Sequence, residues 1–199
     1  MKNVLPATRC RNTEFRWGEK TYIMGIVNLS PDSFSGDGIG DDVEKAVEQA
    51  RRMVAEGADI IDVGGESTRP GTKPLSIGDI DEELRLVLPV IERLSKEISV
   101  PISIDTYKSR VAERALETGA SIINDIWGLK KDPALARLAA AKGAPVILMA
   151  NERDAPPKTG ILAKVLADLE AGISIAQEAG VKAENIIVDP GIGFGKTLE

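Results

Sequence analysis

Carboxylates recur where short apolar runs end. Asp105 closes the strand-like part of P-I-S-I-D-T-Y-K-S (101–109), Asn124 and Asp125 end the run in S-I-I-N-D-I (121–126), and Asp189 ends it in N-I-I-V-D-P-G (185–191). D-I-I-D-V-G-G-E (59–66) adds Asp62 and a glycine pair. A carboxylate receives paired N–H donors, and an asparagine amide matches a donor beside an acceptor. Asp105, Asn124 and Asp189, brought to one mouth, would present two carboxylates and an amide to a flat, donor-rich ring. Taken singly, each also suits a cap or loop-organising role. Asp62 and Asp125 are read as structural first and as site candidates second.

Other stretches carry chemistry of a different kind. Asn28 ends I-M-G-I-V-N-L and offers both an amide donor and a carbonyl acceptor. The loop after it, S-P-D-S-F-S-G-D-G-I-G (30–40), has turn composition, yet Phe34 within so polar a segment points to a loop that closes over something. In G-G-E-S-T-R-P-G, Arg69 can make planar bidentate bonds to phosphate or carboxylate, and the glycines permit close backbone approach at a strand end. P-G-I-G-F-G-K-T resembles a phosphate-binding loop only superficially. The glycine required five residues before Gly195 is Pro190, and the dinucleotide fingerprint also fails at its last glycine.

These residues need elements to hold them. Apolar runs at 22–29, 59–63, 101–105, 121–125, 145–149 and 184–189 read as covered strands. Helical spacing predicts helices from Asp41 or Asp42 to about Glu56 and over 79–97, 108–118, 132–143 and 161–179. Thr106 can cap the third, Asp132 with Pro133 opens the fourth, and Pro89 should kink the second. Strict alternation of strand and helix implies a parallel sheet. Both a doubly wound sheet and most of an eight-stranded barrel fit that order. The barrel is favoured because polar groups follow all of the strands rather than gathering at one switch point. Residues 1–12 read as an arm and 13–199 as one incomplete barrel domain. F-R-W-G-E-K-T-Y (15–22) suggests a small hairpin around Gly18, with Phe15 and Trp17 packing across the end of the core.

Composition narrows the function classes. The formal charge of -6 gives no general basic field for nucleic acid or a membrane surface. Histidine is absent and Cys10 is the only cysteine, which excludes imidazole catalysis, a His or Cys metal cluster and an intrachain disulfide within these residues. No apolar run is long enough to span a bilayer, so the expected setting is cytoplasmic.

Together, I-M-G-I-V-N-L-S-P-D-S-F-S, D-V-G-G-E-S-T-R-P-G, I-S-I-D-T-Y-K, I-N-D-I-W-G and V-D-P-G-I-G-F-G-K-T resemble dihydropteroate synthase, in family order over about residues 13–199. The resemblance implies an α/β fold of the (β/α)8 TIM-barrel type and commonly a homodimer. It also implies a transferase that joins 6-hydroxymethyl-7,8-dihydropterin diphosphate to 4-aminobenzoate, releases diphosphate, and is a target of sulfonamides. Asp105, Asn124 and Asp189 would hold the pterin edge, with Met149 and Ile126 in its apolar surroundings. Asn28 would face the diphosphate and a Mg2+ ion. Ser30, Asp32 and Phe34 in one loop, with Thr68, Arg69 and Pro70 in the next, would close over the substrates. Phe194 and Lys196 would lie near the aminobenzoate.

Two departures accompany the resemblance. Ala150 stands where the family usually has histidine. Barrel strands seven and eight, with their late Lys, Arg and His ligands, lie beyond Glu199, which implies impaired activity for this piece and two uncovered sheet edges unless another chain completes it. A pterin-binding module without catalysis is the alternative reading. A pterin-dependent methyltransferase relative is a further one, which the S-P-D-S-F-S and E-S-T-R-P-G loops fit less well.

Overall fold

The computed structural model describes residues 6–30, 42–66, 80–151, 160–194 and 196. A hairpin of β1 (Thr8–Cys10) and β2 (Thr13–Phe15) leads into six alternating units: β3 (Met24–Asn28), α1 (Val43–Ala55), β4 (Ile60–Gly64), α2 (Ile80–Glu97), β5 (Ile102–Asp105), α3 (Ser109–Thr118), β6 (Ile122–Asp125), α4 (Pro133–Lys142), β7 (Val146–Met149), α5 (Ile161–Glu178) and β8 (Ile186–Asp189). The strands β3 to β8 form one parallel sheet in strict chain order. A doubly wound sheet reverses its order at a switch point. No reversal occurs here, so the sequential order is that of a barrel wall.

Side-chain alternation divides this wall into two faces. Val27, Ile61, Val63, Ile102, Ile104, Ile123, Val146 and Leu148 point outward into a core shared with the helices, among them Val47, Val87, Ile91, Leu94 and Leu135. On the inner face, Met24, Ile60, Ile122, Ile147 and Ile187 pack against Cys10, Phe15, Trp17 and Tyr22. The inner face is therefore hydrocarbon at the strands' N-terminal end. Its polar residues lie toward the C-terminal end.

The helix signals in the sequence correspond to real caps. Asp42 accepts from the Lys45 amide at 3.0 Å, and Asp132 accepts from Ala134 at 2.9 Å with Pro133 in the first turn. Thr106 acts differently from expectation. Its Oγ1 accepts from the Lys108 amide at 3.2 Å in a local turn, and the Ser109 amide that opens α3 donates instead to Asp132 Oδ2 at 2.8 Å. A carboxylate from the next connection outcompetes the local hydroxyl at that position.

The hairpin differs from the sequence reading. Residues 8–10, assigned to the arm, form its first strand, and the turn falls at Arg11 and Asn12 rather than at Gly18. Arg11 adopts φ 52, a left-handed conformation that a search for turn glycines overlooks. Phe15 and Trp17 do pack across the core as expected, stacked 5.8 Å apart, with Tyr22 edge-on to Phe15 at 5.1 Å. The Trp17 indole N–H donates to Thr8 Oγ1 at 2.9 Å, and that hydroxyl donates to the Glu184 carbonyl at 2.6 Å. The hairpin thus closes the N-terminal end of the wall.

The outer strands β3 and β8 each have one sheet neighbour among the described residues. Large apolar side chains stay exposed along these flanks: Ile26 on β3, and Val188, Ile192, Leu162 and Leu166 beside β8. Among the described residues no further strand pairs with the outer side of β3 or β8.

Phe15 is fully buried where the lower inner face meets the hairpin. Phe15→Ala should lower unfolding stability by about 3–5 kcal/mol, because a cavity is left where the structure cannot collapse. Urea denaturation followed by far-UV circular dichroism measures this.

Candidate functional site

Parallel register places four residues in a row on the inner face. Asn28 is opposite Gly64, Gly64 opposite Asp105, and Asp105 opposite Asn124. One pleat below them, Asp62 is opposite Ser103. One pleat above, Met149 is opposite Asp189. The sequence-predicted trio therefore shares the inner face near the strands' C-terminal ends. Asp105 and Asn124 are adjacent, and Asp189 sits higher and two strands away.

Each member of the trio has a different local circumstance. Asn124 Nδ2 donates to Asp62 Oδ2 at 3.0 Å. Asp189 Oδ1 accepts from the Gly191 amide at 2.7 Å, which folds the following turn back over the strand. For Asp105 no such bond exists among the described residues. Burial pushes its carboxyl well above the usual carboxylate range, and the negative charges of Asp62, Glu83, Asp125 and Glu66 add to the effect. Gly64 gives it room: a Cβ there would lie 3.3 Å from Asp105 Oδ2. Burial likewise pushes Asp62 up, against the opposing effects of the nearby Ser103 hydroxyl and the Asn124 amide.

A second charged group lies just behind the row. Lys108 Nζ donates to Glu66 Oε2 at 2.8 Å and to Glu83 Oε2 at 2.6 Å. Lys108 and Glu83 are buried, and Glu66 is nearly so, with a side-chain exposure of 14%. The two acids favour the charged ammonium and hold its pKa above the ordinary value in spite of the opposing effect of burial. This cluster ties the end of β4, helix α2 and the β5–α3 connection together. Gly65 makes the approach of α2 feasible, since a Cβ there would meet Glu83 and Val87 at 3.0 Å.

Asp125 has the loop-organising role first assigned to it. It points to the helical side, and its two oxygens accept from the Trp127 amide at 2.8 Å and the Leu129 amide at 2.6 Å. Burial outweighs these bonds and pushes its pKa up to about 6.

The remaining candidates surround the mouth. Asn28 Oδ1 accepts from the Ser30 amide at 3.0 Å, and Ser30 is buried. Met149 is buried, while the Ile126 carbonyl accepts from Asn151 Nδ2 at 3.1 Å. Lys196 Nζ donates to the Ala150 carbonyl at 2.9 Å and the Phe194 carbonyl at 3.2 Å, so both predicted aminobenzoate-side residues lie in one turn over β7 and β8. Gly191, at φ 67, is indispensable to that turn, because a Cβ would fall 2.1 Å from the Ala150 carbonyl. Ala150 itself is fully buried and contributes to the mouth through its backbone. Asp32, Phe34, Thr68, Arg69 and Pro70 lie outside the described residues.

An inner face that is hydrocarbon below and acceptor-rich above suits a flat heterocycle whose edge donates hydrogen bonds. Comparison with known proteins agrees. Residues 24–199 match the family described as pterin binding enzyme. The chain belongs to that family. Dihydropteroate synthase of Clostridium beijerinckii is 53% identical over 186 residues, covering 94% of this chain and 68% of the relative. The Bacillus subtilis dihydropteroate synthase is 54% identical over 179 residues, covering 90% and 61%. The chain thus spans about two thirds of the length of these curated relatives. Among solved structures, Xanthomonas albilineans dihydropteroate synthase with 4-aminobenzoic acid superposes with a TM-score of 0.86 at 40% identity, covering 97% of this chain and 69% of that one. The Clostridium difficile dihydropteroate synthase in the presence of pteroic acid gives 0.82 at 47% identity, covering 92% and 68%. The barrel reading and the resemblance to dihydropteroate synthase are both borne out.

Sequence reasoning missed the Lys108 cluster. A signal for it was present: Glu83 falls at helical spacing with Val87, Val90 and Leu94 on the buried stripe of α2, and an acid on such a stripe needs a partner. Lys108 directly follows the strand-end motif that had singled out Asp105.

Two outcomes follow from these charges. Lys108→Met should cost about 3–5 kcal/mol of stability by leaving two acids buried without their cation, and adding Glu83→Gln should recover part of it; thermal and urea unfolding of the single and double variants compare them. Folded Asp125 keeps its proton to about pH 6, whereas the unfolded chain releases it near the ordinary 3.8. The native state therefore holds the extra proton in that window, and the stabilising contribution is full below about pH 4 and is lost as pH rises through about 6. Asp125→Asn should flatten that part of the stability–pH curve while lowering stability by about 1–2 kcal/mol through a lost backbone bond.

Proposed function

We propose that this chain supplies the pterin-binding half of a dihydropteroate synthase site, in which 6-hydroxymethyl-7,8-dihydropterin diphosphate reacts with 4-aminobenzoate to give 7,8-dihydropteroate and diphosphate. The observation that carries this reading is the adjacent pair Asp105 and Asn124, set on a buried acceptor-rich face in a chain more than half identical to named dihydropteroate synthases. The pterin ring lies against Met149 and the inner face. Its N–H groups donate to Asp105, the Asn124 oxygen and Asp189.

The chemistry asks two things of the protein. As the methylene–oxygen bond to diphosphate breaks, positive charge develops at the pterin methylene, and the carboxylates of the mouth stabilise it. The aminobenzoate amine is already nucleophilic at neutral pH, forms the new C–N bond and loses its proton, so no imidazole base is needed. The Lys196 ammonium, poised above β7 and β8, suits the aminobenzoate carboxylate. Water that would otherwise capture the methylene must be kept from the mouth while the new bond forms.

Magnesium is part of the proposal in a limited form. Asn28 Oδ1 retains a lone pair beyond its bond to Ser30, but the described residues contain no group of three acidic, His or Cys side chains that could cage a metal. That donor set fits an ion held mainly by the diphosphate oxygens, with Asn28 as a protein ligand. When bound, magnesium neutralises charge on the leaving diphosphate.

The homodimer and the cytoplasmic setting stay within this proposal. No described helix is long and apolar enough to cross a membrane.

Isothermal calorimetry with 6-hydroxymethylpterin tests the binding, and 4-aminobenzoate-dependent diphosphate release tests turnover. Asp105→Asn should weaken pterin binding by about 2 kcal/mol, roughly thirtyfold, as expected for a charge-assisted bond. A folded chain with no saturable pterin binding would overturn the reading.

A further inference from the structure

We propose that Asp62 is a positioning residue that fixes which end of the Asn124 amide faces the ligand, and thereby makes the mouth selective for a ring edge that donates. This rests on the pterin reading above. Asp62 lies one pleat below the mouth and is 3% exposed, so water does not readily take its place. Its Oδ2 accepts from Asn124 Nδ2 at 3.0 Å. The amide nitrogen is the end that donates to this oxygen, so it turns down to Asp62 and the amide oxygen turns up to the mouth. The opposite orientation would set the amide oxygen against the carboxylate.

The arrangement of Asp62 is otherwise hard to account for. Its second oxygen, Oδ1, and the facing Ser103 Oγ make no hydrogen bond of good geometry. A buried carboxylate held by one amide contributes little that a hydrocarbon would not contribute better. What it does achieve is orientation. With Asp62 in place, the row presents acceptors at both Asp105 and Asn124. Without it the amide turns freely, and a ring edge carrying a carbonyl binds nearly as well as one carrying an amine.

Two related rings separate this role from plain structural support. 6-Hydroxymethylpterin carries an exocyclic amine where 6-hydroxymethyllumazine carries a carbonyl. Calorimetry on the full chain should show preference for the pterin. Asp62→Asn, of the same shape but able to donate or accept, should reduce the pterin-over-lumazine affinity ratio at least tenfold. In an Asn124→Ala background the same change should leave the ratio as it is. An unchanged ratio in Asp62→Asn overturns the assignment, however far both affinities fall, because merely structural damage weakens both rings alike. Should Asp62→Asn not fold, the unsubstituted protein decides by NMR. The slower Asn124 side-chain amide proton should exchange at least tenfold more slowly than those of exposed Asn12, and equal rates overturn the assignment. If the unsubstituted chain binds neither ring, the proposed function is wrong, and the exchange measurement alone judges the Asp62–Asn124 link.

Discussion

Negative charge taken out of water must find a partner or give up its charge, and that constraint organises this molecule. Asp62, Asp105, Asp125, Glu66 and Glu83 gather near one end of a sheet whose surroundings are mostly hydrocarbon. They are accommodated in several ways. Lys108 holds Glu66 and Glu83, backbone amides hold Asp125, and the Asn124 amide holds Asp62. Asp105 alone among these five is left without a hydrogen-bond donor among the described residues. A group so placed is destabilised by its surroundings, and a ligand that brought donors of its own would relieve it.

The fold supplies this arrangement through register rather than through any single loop. Because neighbouring parallel strands align Asn28, Gly64, Asp105 and Asn124, their side chains share a face and a height. A one-residue slip of β5 or β6 would turn Asp105 or Asn124 into the hydrocarbon layer beneath the helices. Outward-facing Ile104 and Ile123, both fully buried, hold the register against such a slip. The hairpin aromatic cluster closes the other end, so the inner face offers its polar atoms in one direction.

Much of this was legible in the sequence, and the physical reason is clear in particular residues. The strand 146–149 is an uninterrupted apolar run because both its faces are covered, and Pro133 and Gly143 bracket α4 as a start and stop should. Asp105, Asn124 and Asp189 could be picked out because polar side chains at strand ends stand against that background. The hairpin was displaced because Arg11 adopts a left-handed turn without glycine, and no composition rule marks it. The Lys108 cluster and the Asp62–Asn124 bond join residues far apart in sequence, 25 and 62 positions for the buried contacts, so only the folded chain makes them neighbours. The motif that first named Asp105 also contained Lys108, but nothing local showed that its side chain would turn inward.

The central claim is that a donor-bearing planar ring docks on the acceptor row at the C-terminal ends of β5, β6 and β8. Carboxyl-carbon NMR of the chain, titrated with 6-hydroxymethylpterin, tests it most directly. The account predicts saturable shifts of the Asp105 and Asp189 carboxyl resonances in parallel, with Glu14 and Glu184 at the hairpin end unmoved. Saturable pterin binding that leaves Asp105 and Asp189 unshifted would contradict it.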